Sequence, residues 1–501
     1  MQEAKRLHAC IITSGLQQQE IHLRKLIALY ADPRIPSSLS HARLLFDQIQ
    51  LPSTFIYNTM FRAYAASTDP LQALHLYRQM CRHGTPPDHY TFPFLLKACS
   101  SLSHLAQGEE IHSQALKHGF GSDLFVQNSL IFLYGSNNRI SVAHQVFDEM
   151  GHRDIATWTT LVTCYVDFCS VESARQVFDN MPDRNVVSYS AMIAGYVRKS
   201  RFGVALGLFR ELVDAKMEPN DSTIMSVLCA CANLGALDMG RWIHSSIRQR
   251  KGDQFDSLIT TALIDMYVKC GSIMNALCVF EGARKKNVGE WTALMSGLAM
   301  HGLGRQLIEA FEEMVSSGVK PNAVTFVALL AGCSHSGLVK EGLSYFNRMK
   351  LEYGVDPIVE HFGCVVDLLG RAGLIDQAFR FIEEMPVEAN AAIWGALFNA
   401  CRVYKNVEVG EIAARWLMID EPWNAAIYVS LLGLYREAGR WDQVEKVKEE
   451  MKNTVCRKNP GCSLLEVNGF CFEFVAGDRS HPCALEVCKN LSKLIVEFTE
   501  N

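Results

Sequence analysis

The sequence predicts an all-α protein, an α-solenoid of stacked helix–turn–helix repeats, with a small β-hairpin plus helix at its C-terminal end. Three observations lead to this prediction. Related segments recur along the chain at intervals of 31 to 36 residues. Apolar residues inside each segment follow helical spacing, and after Pro460 that spacing changes to the two-residue alternation of a strand.

The clearest repeats lie between residues 186 and 322. One opens with Val-Val-Ser-Tyr-Ser-Ala-Met-Ile-Ala-Gly-Tyr at 186–196 and a related one with Val-Gly-Glu-Trp-Thr-Ala-Leu-Met-Ser-Gly-Leu at 288–298. Both are 35 residues long and end in a Pro-Asn pair, and segments of 36 and 31 residues separate them. The repeat is therefore a triplet of unequal lengths.

Each repeat is predicted to contain two amphipathic helices. In the repeat at 186 the apolar residues recur at i, i+3, i+4 and i+7 on both sides of a break near residues 199–203. They are Tyr189, Met192, Ile193 and Tyr196, then Ala205, Leu208, Phe209 and Leu212. A pair of helices this short buries too little apolar surface to fold alone, so neighbouring pairs must stack and share one core.

Four regions follow from the repeat pattern. Residues 1–53 hold partial and irregular repeats, and residues 54–390 hold the regular array. Residues 391–458 form two further helical pairs that lack the Pro-Asn or Pro-Asp ending, and residues 459–501 leave the repeat pattern.

In this last region the sequence predicts the β-hairpin. Phe470, Phe472 and Phe474 fall on one face of a strand, and Asn468-Gly469 is a type I′ turn signal. An amphipathic helix is predicted from Leu485 to about Phe498. The three phenylalanines are expected to pack or to dock a partner, because a two-stranded hairpin alone is barely stable.

Composition excludes several classes of protein. The formal net charge is -5 and the pI is near 6.4, so any nucleic-acid binding must depend on a local groove and not on a basic chain. The 17 cysteines include no Cys-x-x-Cys pair and often occupy apolar positions, such as Cys164, Cys229 and Cys278. This usage favours buried thiols in a reducing compartment over disulfides or a zinc site.

Neither a membrane span nor a targeting peptide is expected from the sequence. No apolar run approaches 18 residues. The first residues already have the pattern of a repeat helix, which leaves no room for a cleavable targeting peptide.

Five motifs in the chain are those of a known repeat family: Tyr-Asn-Thr-Met (57–60), Ala-x-x-Val-Phe-Asp-x-Met-Pro (174–182), Ala-Leu-Ile-Asp-Met-Tyr-Val-Lys-Cys-Gly (262–271), His-Ser-Gly-Leu-Val (335–339) and Asp-Leu-Leu-Gly-Arg-Ala-Gly (367–373). The array resembles the plant pentatricopeptide-repeat family, in the subclass with alternating P, L and S repeats. The resemblance covers essentially the whole chain and implies a right-handed superhelical solenoid. Tetratricopeptide arrays, which bind peptides, have a constant 34-residue period. The repeats of this chain are 35, 36 and 31 residues long in turn, and these unequal lengths argue against a tetratricopeptide array.

The resemblance also implies a function. Proteins with this architecture are similar to factors that recognise sites in organellar transcripts, most often for cytidine-to-uridine editing. Residues 391–458 resemble the two extension (E-type) motifs of the subclass. Residues 459–501 resemble the truncated start of the deaminase-like domain known by its Asp-Tyr-Trp ending.

Catalysis by this chain is not expected. A zinc deaminase needs His-x-Glu and a Cys-x-x-Cys pair to activate water on the metal. None of the 16 histidines begins His-x-Glu, and the chain ends at Asn501 without Asp-Tyr-Trp. His481, Cys483 and Cys488 lack a fourth ligand at a plausible spacing, so we expect no metal and no cofactor. A deaminase would then act in trans, recruited with other organellar editing factors through residues 391–501.

In the family, the fifth residue and the last residue of a repeat together contact one base of single-stranded RNA. Carried over residue by residue, the six pairs are Asn58 with Asp88, Asn128 with Asp154, Thr159 with Asn185, Ser190 with Asn220, Thr261 with Asn287, and Thr292 with Asn322. The longer repeats place Pro93, Met225 and Val327 at the fifth position, and these side chains cannot read a base edge.

In family terms Asn with Asp favours uridine, and Thr or Ser with Asn favours adenosine. The repeats from 54 to 288 then read U, any, U, A, A, any, A, A, and the target cytidine lies a few nucleotides beyond Asn390. The plain alternative is that these polar residues near helix starts are ordinary N-caps. Six pairs in register favour the RNA-reading interpretation.

Two other functions remain open from the sequence. The protein could serve RNA splicing, stability or translation with a vestigial C-terminal region, or it could be a peptide-binding scaffold. The family resemblance places it in the mitochondrion or, alternatively, the chloroplast.

Overall fold

The computed structural model describes residues 20–32, 39–252, 255–284, 286–454, 462–467 and 470–475. Within these ranges the chain forms 26 α-helices and two β-strands. The predicted partial repeat at residues 1–19 and the predicted helix from Leu485 to Phe498 lie outside the described residues. The chain divides into two compact units, one up to Thr223 and the other from Ile224 onward.

The first unit is a series of antiparallel helical pairs. Its helices are α1 Glu20–Tyr30, α2 Leu39–Asp47, α3 Thr54–Ala65, α4 Leu71–Arg82, α5 Thr91–Leu102, α6 Leu105–Lys117, α7 Leu124–Ser136, α8 Ile140–Glu149, α9 Ile155–Phe168, α10 Val171–Asp179, α11 Val186–Arg198 and α12 Phe202–Asp214. Helix α13 (Asp221–Leu234) begins in this unit and continues into the next.

The second unit continues the same pattern of pairs. Its helices are α14 Leu237–Lys251, α15 Ser257–Lys269, α16 Ile273–Gly282, α17 Val288–Met300, α18 Gly304–Ser316, α19 Ala323–His335, α20 Val339–Leu351, α21 Val359–Arg371, α22 Ile375–Glu383, α23 Ala391–Tyr404, α24 Val407–Asp420, α25 Ala425–Glu437 and α26 Trp441–Asn453. Within the array the first helices of successive repeats pack side by side, as α3 does on α5 and α17 on α19, and second helices pack on their own first helices. At the C-terminal end α25 packs on α24 instead. The predicted α-solenoid of stacked helical pairs is confirmed for both units.

Aromatic contacts between neighbouring repeats fix the start of each first helix. Where the fourth residue of a repeat is Tyr or Trp, as in the repeats at 54, 155, 186 and 288, it packs edge-on against an aromatic ring of the preceding second helix. Ring centroids are 5.1 Å apart for Tyr189 and Phe178, and 4.6 Å apart for Trp291 and Phe280. Because the fourth residue points into the core, the fifth residue is turned about 100° away from it, toward the neighbouring repeat.

Glycines let adjacent first helices approach closely. A Cβ added at Gly370 in α21 would lie 2.8 Å from Cβ of Ala400 in α23, and one added at Gly297 in α17 would lie 2.4 Å from Val268. Real Cβ atoms do not approach so closely, so a larger residue at these positions forces the helices apart. The spacing of the first helices therefore depends on these small residues.

The turn inside a repeat is made by a glycine that ends the first helix. Gly302 follows α17 with φ of +68°, a conformation that costs L-residues energy. Its N–H donates to Ala299 O, and the next N–H, of Leu303, donates to Leu298 O at 2.9 Å. This Schellman arrangement satisfies the last carbonyls of the helix and turns the chain toward α18.

The prediction that cysteines at apolar positions are buried is only partly right. Cys164 is fully buried, as expected, but Cys229 and Cys278 are exposed. Each of the two lies two residues from a buried neighbour on the same helix, Cys231 and Ala276 respectively, and a two-residue step turns a helical side chain by about 200°. Their apolar neighbours in sequence therefore lie on the opposite face.

Two short strands follow the helices. Strand β1 (Cys462–Val467) pairs antiparallel with β2 (Phe470–Val475), with Val467 opposite Phe470. The predicted turn at Asn468-Gly469 lies outside the described residues, and the hairpin-plus-helix arrangement stays a prediction.

Throughout the described ranges, no helix combines the length and the apolar character that a bilayer span requires.

Candidate nucleic-acid interface

The two residues of each predicted pair lie on neighbouring first helices. The fifth residue of a repeat is the fifth residue of its first helix, as Ser190 is in α11. The last residue stands immediately before the first helix of the next repeat, as Asn185 does at the N-cap of α11. Since first helices pack side by side, the N-terminal turns of successive repeats bring each pair together.

In the repeat at 54 the pair is directly bonded and also linked through a third residue. Asn58 Nδ2 donates to Asp88 Oδ1 at 2.8 Å. The hydroxyl of Thr91 donates to Asn58 Oδ1 at 2.9 Å and lies 3.1 Å from Asp88 Oδ1. Asn58 is only 7% exposed, and one Nδ2 hydrogen together with Asp88 Oδ2 is left for other partners.

The repeat at 186 has the same three-residue arrangement. Ser190 Oγ contacts the hydroxyl of Thr223 and lies 3.5 Å from Asn220 Oδ1. Asn220 Oδ1 accepts from the N–H and the hydroxyl of Thr223, at 2.8 and 2.9 Å. With its oxygen used in this way, the exposed Asn220 presents its NH₂ group outward.

The repeat at 288 completes the set. The hydroxyls of Thr292 and Thr325 lie 3.0 Å apart, and Asn322 Oδ1 accepts from Thr325 N–H at 2.9 Å. The Thr325 hydroxyl also donates to Asn322 Oδ1 at 3.0 Å. All three of these sites belong to repeats of 35 residues.

The pairs in the 31-residue repeats are not linked in this way. The hydroxyl of Thr159 donates to Ile155 O at 2.7 Å, and that of Thr261 donates to Ser257 O at 2.9 Å, so both bond back to their own helix. Asn128 Oδ1 is buried and has no hydrogen-bond partner. An orphaned buried carbonyl is costly, and a base N–H would satisfy it.

The last residues are N-caps in the structure, so the plain alternative holds for that half of each pair. Side-chain oxygens of Asp154, Asn185, Asn287 and Asn322 accept from backbone N–H groups of the next helix. Capping uses only one oxygen, however, and leaves the amide NH₂ or the second carboxylate oxygen for another partner. In Asn287 one of the two amide hydrogens already bonds the hydroxyl of Ser257 and the other remains. The cap role and a base-contacting role are therefore compatible.

Sequence reasoning missed an apolar position beside several of the pairs. The second residue of several repeats is a large apolar side chain exposed to solvent, three places before the fifth residue on the same helix. These residues are Phe55, Phe125, Val187, Leu258 and Val324. The signal was present in the sequence, since these residues fall off the apolar stripe of their helix.

At the fifth position of the longer repeats, Pro93, Met225 and Val327 are half-buried and have no polar group, as the sequence indicates. In the described ranges, no group of three His, Cys, Asp or Glu side chains is placed to hold a metal ion. His481, Cys483 and Cys488 lie outside those ranges.

A second surface lies on α24 in the C-terminal part of the chain. Ile412, Trp416 and Ile419 are all exposed and follow each other at i, i+4 and i+7 on the helix, and exposed Trp423 lies in the turn that follows it. The ring of Trp416 stacks on Trp394 with centroids 5.7 Å apart and an interplanar angle of 6°. We call these four exposed residues the α24 stripe.

Acidic residues border the α24 stripe. Glu408 and Asp420 are exposed at the two ends of the helix. The basic residue on α24, Arg415, is engaged by Glu450 at 2.7 Å. An exposed apolar line with an acidic border is unusual on a helix that only closes a solenoid.

The described helices form stacked pairs, and the paired polar residues lie at the N-terminal turns of the first helices. Together these features define an α-solenoid repeat protein. Family comparisons agree in detail. The PPR repeat family matches residues 52–101, 184–233 and 286–335, the PPR repeat matches 128–155, 156–186, 259–288, 324–352 and 360–388, and the E motif matches 404–466.

Whole-chain relatives extend the match. A pentatricopeptide repeat-containing protein of Arabidopsis thaliana is 42% identical over 96% of this chain and 77% of its own length. A second one, described as chloroplastic/mitochondrial, is 37% identical over 98% of this chain and 74% of its own length. The chain belongs to the pentatricopeptide repeat family and carries an E motif, which confirms the family prediction.

The fold comparison points the same way. The crystal structure of the maize pentatricopeptide repeat protein PPR10 matches with a TM-score of 0.59 at 19% identity, over 90% of this chain and 66% of that one. At that identity the match supports the α-solenoid fold.

Proposed function

We propose that this protein binds single-stranded RNA sequence-specifically, selects an organellar cytidine for conversion to uridine, and recruits a deaminase that acts in trans. The observation that supports RNA reading is the state of the six predicted pairs. Each last residue has one side-chain oxygen engaged by backbone N–H groups of the next repeat, and its side chain keeps a further donor or acceptor for another partner.

The available groups favour particular bases. At Asn58 and Asp88 a donor and a carboxylate acceptor remain, which complement a uracil carbonyl and its N3–H. At Ser190 with Asn220, and at Thr292 with Asn322, amide donors stand beside a hydroxyl oxygen. That combination complements the N1 acceptor and the amino group of adenine.

Exposed apolar side chains beside the pairs support binding of unpaired bases. Phe55, Phe125, Val187, Leu258 and Val324 offer flat or branched apolar surface next to the polar contacts. Bases of single-stranded RNA stack on aromatic side chains such as Phe55 and Phe125 without sequence preference, and the flat faces of bases also make apolar contact with branched side chains. Stacking would supply affinity while the polar pairs supply specificity.

Residues 391–501 are proposed to dock the deaminase and other editing factors. The α24 stripe supports this, because exposed apolar residues grouped on one helix and the turn after it are typical of a protein–protein interaction site. Its acidic border favours a partner surface that combines apolar residues with Lys or Arg. The protein itself is proposed to be non-catalytic and to need no cofactor.

An organellar location is proposed from the family and from the chloroplastic/mitochondrial description of one relative. We favour the mitochondrion, with the chloroplast as the alternative.

RNA binding is tested with the predicted eight-base target. The full chain should bind an RNA containing U-N-U-A-A-N-A-A with at least tenfold higher affinity than a scrambled RNA of the same composition, since several correct bases contribute together. Equal binding to both RNAs would refute sequence-specific reading.

Recruitment is tested with Ile419→Asp, because Ile419 is 74% exposed and its substitution leaves the core intact. Val403→Asp is the matched control, since Val403 is 72% exposed on α23 and lies outside the stripe. Only Ile419→Asp should abolish editing in complemented plants, with RNA affinity unchanged in both variants.

Sequencing organellar RNA from plants that lack the gene gives the function directly. The proposal expects one or a few cytidines to remain unconverted. Changes confined to introns or transcript ends would instead indicate a role in splicing or stability.

A further inference from the structure

A buried hydroxyl links the two halves of each pair in the 35-residue repeats. Thr91, Thr223 and Thr325 are the third residues of the repeats that follow, and all three are fully buried. A buried polar side chain needs partners to offset the loss of water. In these three repeats the partners include both members of the preceding pair.

The contacts are the same at the three positions. The hydroxyl of the third residue reaches the fifth residue of the preceding repeat across the helix interface, at 2.9 Å for Thr91 and Asn58 and 3.0 Å for Thr325 and Thr292. The same hydroxyl lies within 2.9 to 3.1 Å of the Oδ1 atom of the capping residue. One buried atom thus holds the fifth and last side chains at a fixed separation.

Two of the 31-residue repeats lack this link although the repeat that follows each of them also has a hydroxyl residue, Thr157 or Ser188, at its third position. The hydroxyl of Thr157 bonds the capping Asp154 at 2.8 Å, and Ser188 forms a capping box with Asn185. Among the described side chains of these sites, neither hydroxyl bonds a fifth residue. The hydroxyl of Thr159 bonds back to its own helix, whereas that of Ser190 makes the same kind of bond, to Val186 O, and also contacts Thr223.

The third 31-residue repeat contains the pair Thr261 and Asn287, and the third residue of the repeat that follows it is a glutamate instead of Thr or Ser. Glu290 is 1% exposed and accepts from Asn287 N–H at 2.7 Å and from the hydroxyl of Ser257 at 2.8 Å. Ser257 is the first residue of its repeat, so this bridge bypasses the fifth residue, Thr261. The pair at 261 and 287 is again not linked.

We propose that Thr91, Thr223 and Thr325 are positioning residues, which set how strongly the 35-residue repeats discriminate between bases. The inference rests on the proposed RNA-reading function and deepens it. Reading one base edge by two side chains requires both to be in place together, and a link between them lowers the ordering cost on binding. The hydroxyl does this from inside the protein, without touching the base.

The experiment compares Thr325→Val with Thr157→Val. Both substitutions remove a fully buried hydroxyl that bonds a capping residue, so both should lower the melting temperature. Only Thr325 also contacts a fifth residue. The readout is the ratio of affinities for RNAs that carry the preferred base or the other base at a single position.

The expected result is a loss of discrimination confined to one base. Thr325→Val should reduce the adenosine-to-uridine ratio at the eighth base by about three- to tenfold, which is the effect of one net hydrogen bond. Thr157→Val should leave the ratio at the third base unchanged within about twofold. Thr325→Ser, which keeps the hydroxyl, should restore the ratio.

A parallel variant guards against misfolding. Thr223→Val should act in the same way at the fifth base, and its melting temperature shows whether the fold is kept. If Thr325→Val and Thr223→Val lower affinity for both RNAs equally, the hydroxyls only cap helices and the inference is overturned. Loss of the ratio in Thr157→Val as well would also overturn it.

These outcomes are separable from failure of the proposed function. If the unmodified protein binds matched and scrambled RNA equally, the proposed function fails and the inference falls with it. If the unmodified protein discriminates and the valine variants do so equally well, only the positioning role is wrong.

Discussion

The pair Thr292 and Asn322 can be rebuilt to read a different base. Replacing Thr292→Asn and Asn322→Asp gives the same side chains as Asn58 and Asp88. Thr325 already stands where Thr91 stands in the natural Asn-Asp site, fully buried and bonded to the capping residue. The double variant therefore recreates all three members of that site without a change in the core.

The size of the effect follows from the hydrogen bonds at stake. A pair that contacts a base edge at two points discriminates by about 1–3 kcal/mol, by analogy with bidentate readout of DNA bases. Asn322 is exposed and its contacts compete with water, so we take the lower part of this range. The eighth base should then shift from adenosine toward uridine by roughly tenfold or more, because about 1.4 kcal/mol corresponds to one decade.

Fluorescence polarisation with four RNAs measures this shift. Two RNAs carry adenosine or uridine at the eighth base, and two carry the same change at the second base, which faces Pro93. The double variant should exchange its preference at the eighth base and remain indifferent at the second. If its affinity falls equally for adenosine and uridine, Thr292 and Asn322 are only structural residues and the reading model is wrong.

Three further predictions concern stability and reactivity. Gly370→Ala should destabilise the protein by about 1–3 kcal/mol in urea unfolding, because the new methyl group would lie 2.8 Å from the methyl group of Ala400. The control Gly395→Ala, which has open space around it, should stabilise the protein by about 0.5–1 kcal/mol. Destabilisation of equal size in both variants would contradict the packing argument. Burial lowers the pKa of His361 from its ordinary 6.5, against a smaller opposing effect of a backbone hydrogen bond and of Glu360. Its stabilising contribution should therefore be complete above about pH 7 and decline as pH falls below 6.5, so that the melting temperature drops between pH 7 and 5.5 and drops less in His361→Gln. Burial raises the pKa of the Cys164 thiol to about 12, so iodoacetamide at pH 8 should label exposed Cys278 in the native protein and Cys164 only after unfolding.

Much of the fold could be predicted from the sequence, because a solenoid is built from local signals repeated many times. Helical spacing within one repeat, such as Tyr189, Met192 and Ile193, specifies a helix and its buried face without knowledge of the rest of the chain. The need to cover that face then forces neighbouring repeats to stack. The same spacing misplaced Cys229 and Cys278, since an apolar residue in a helix can lie on either face.

The candidate site was predictable in identity but not in arrangement. The sequence determined which residues stand at the fifth and last positions, and their register within the repeats. The structure decided that Asn58, Asp88 and Thr91 form one bonded group while Thr159 bonds only its own helix. These distances depend on how closely first helices approach, and that depends on packing between repeats, which no local pattern encodes.

The α24 stripe shows the same division. By itself the sequence predicted two helical pairs within residues 391–458, and in the sequence Ile412, Trp416 and Ile419 have the character of core residues. Only the tertiary structure decided that they face solvent, because Ala413, Ala414 and Leu417 on the same helix already fill its contact with α23 and α25. A helix has room for one buried face against its neighbours, and which apolar residues occupy it is settled by packing alone.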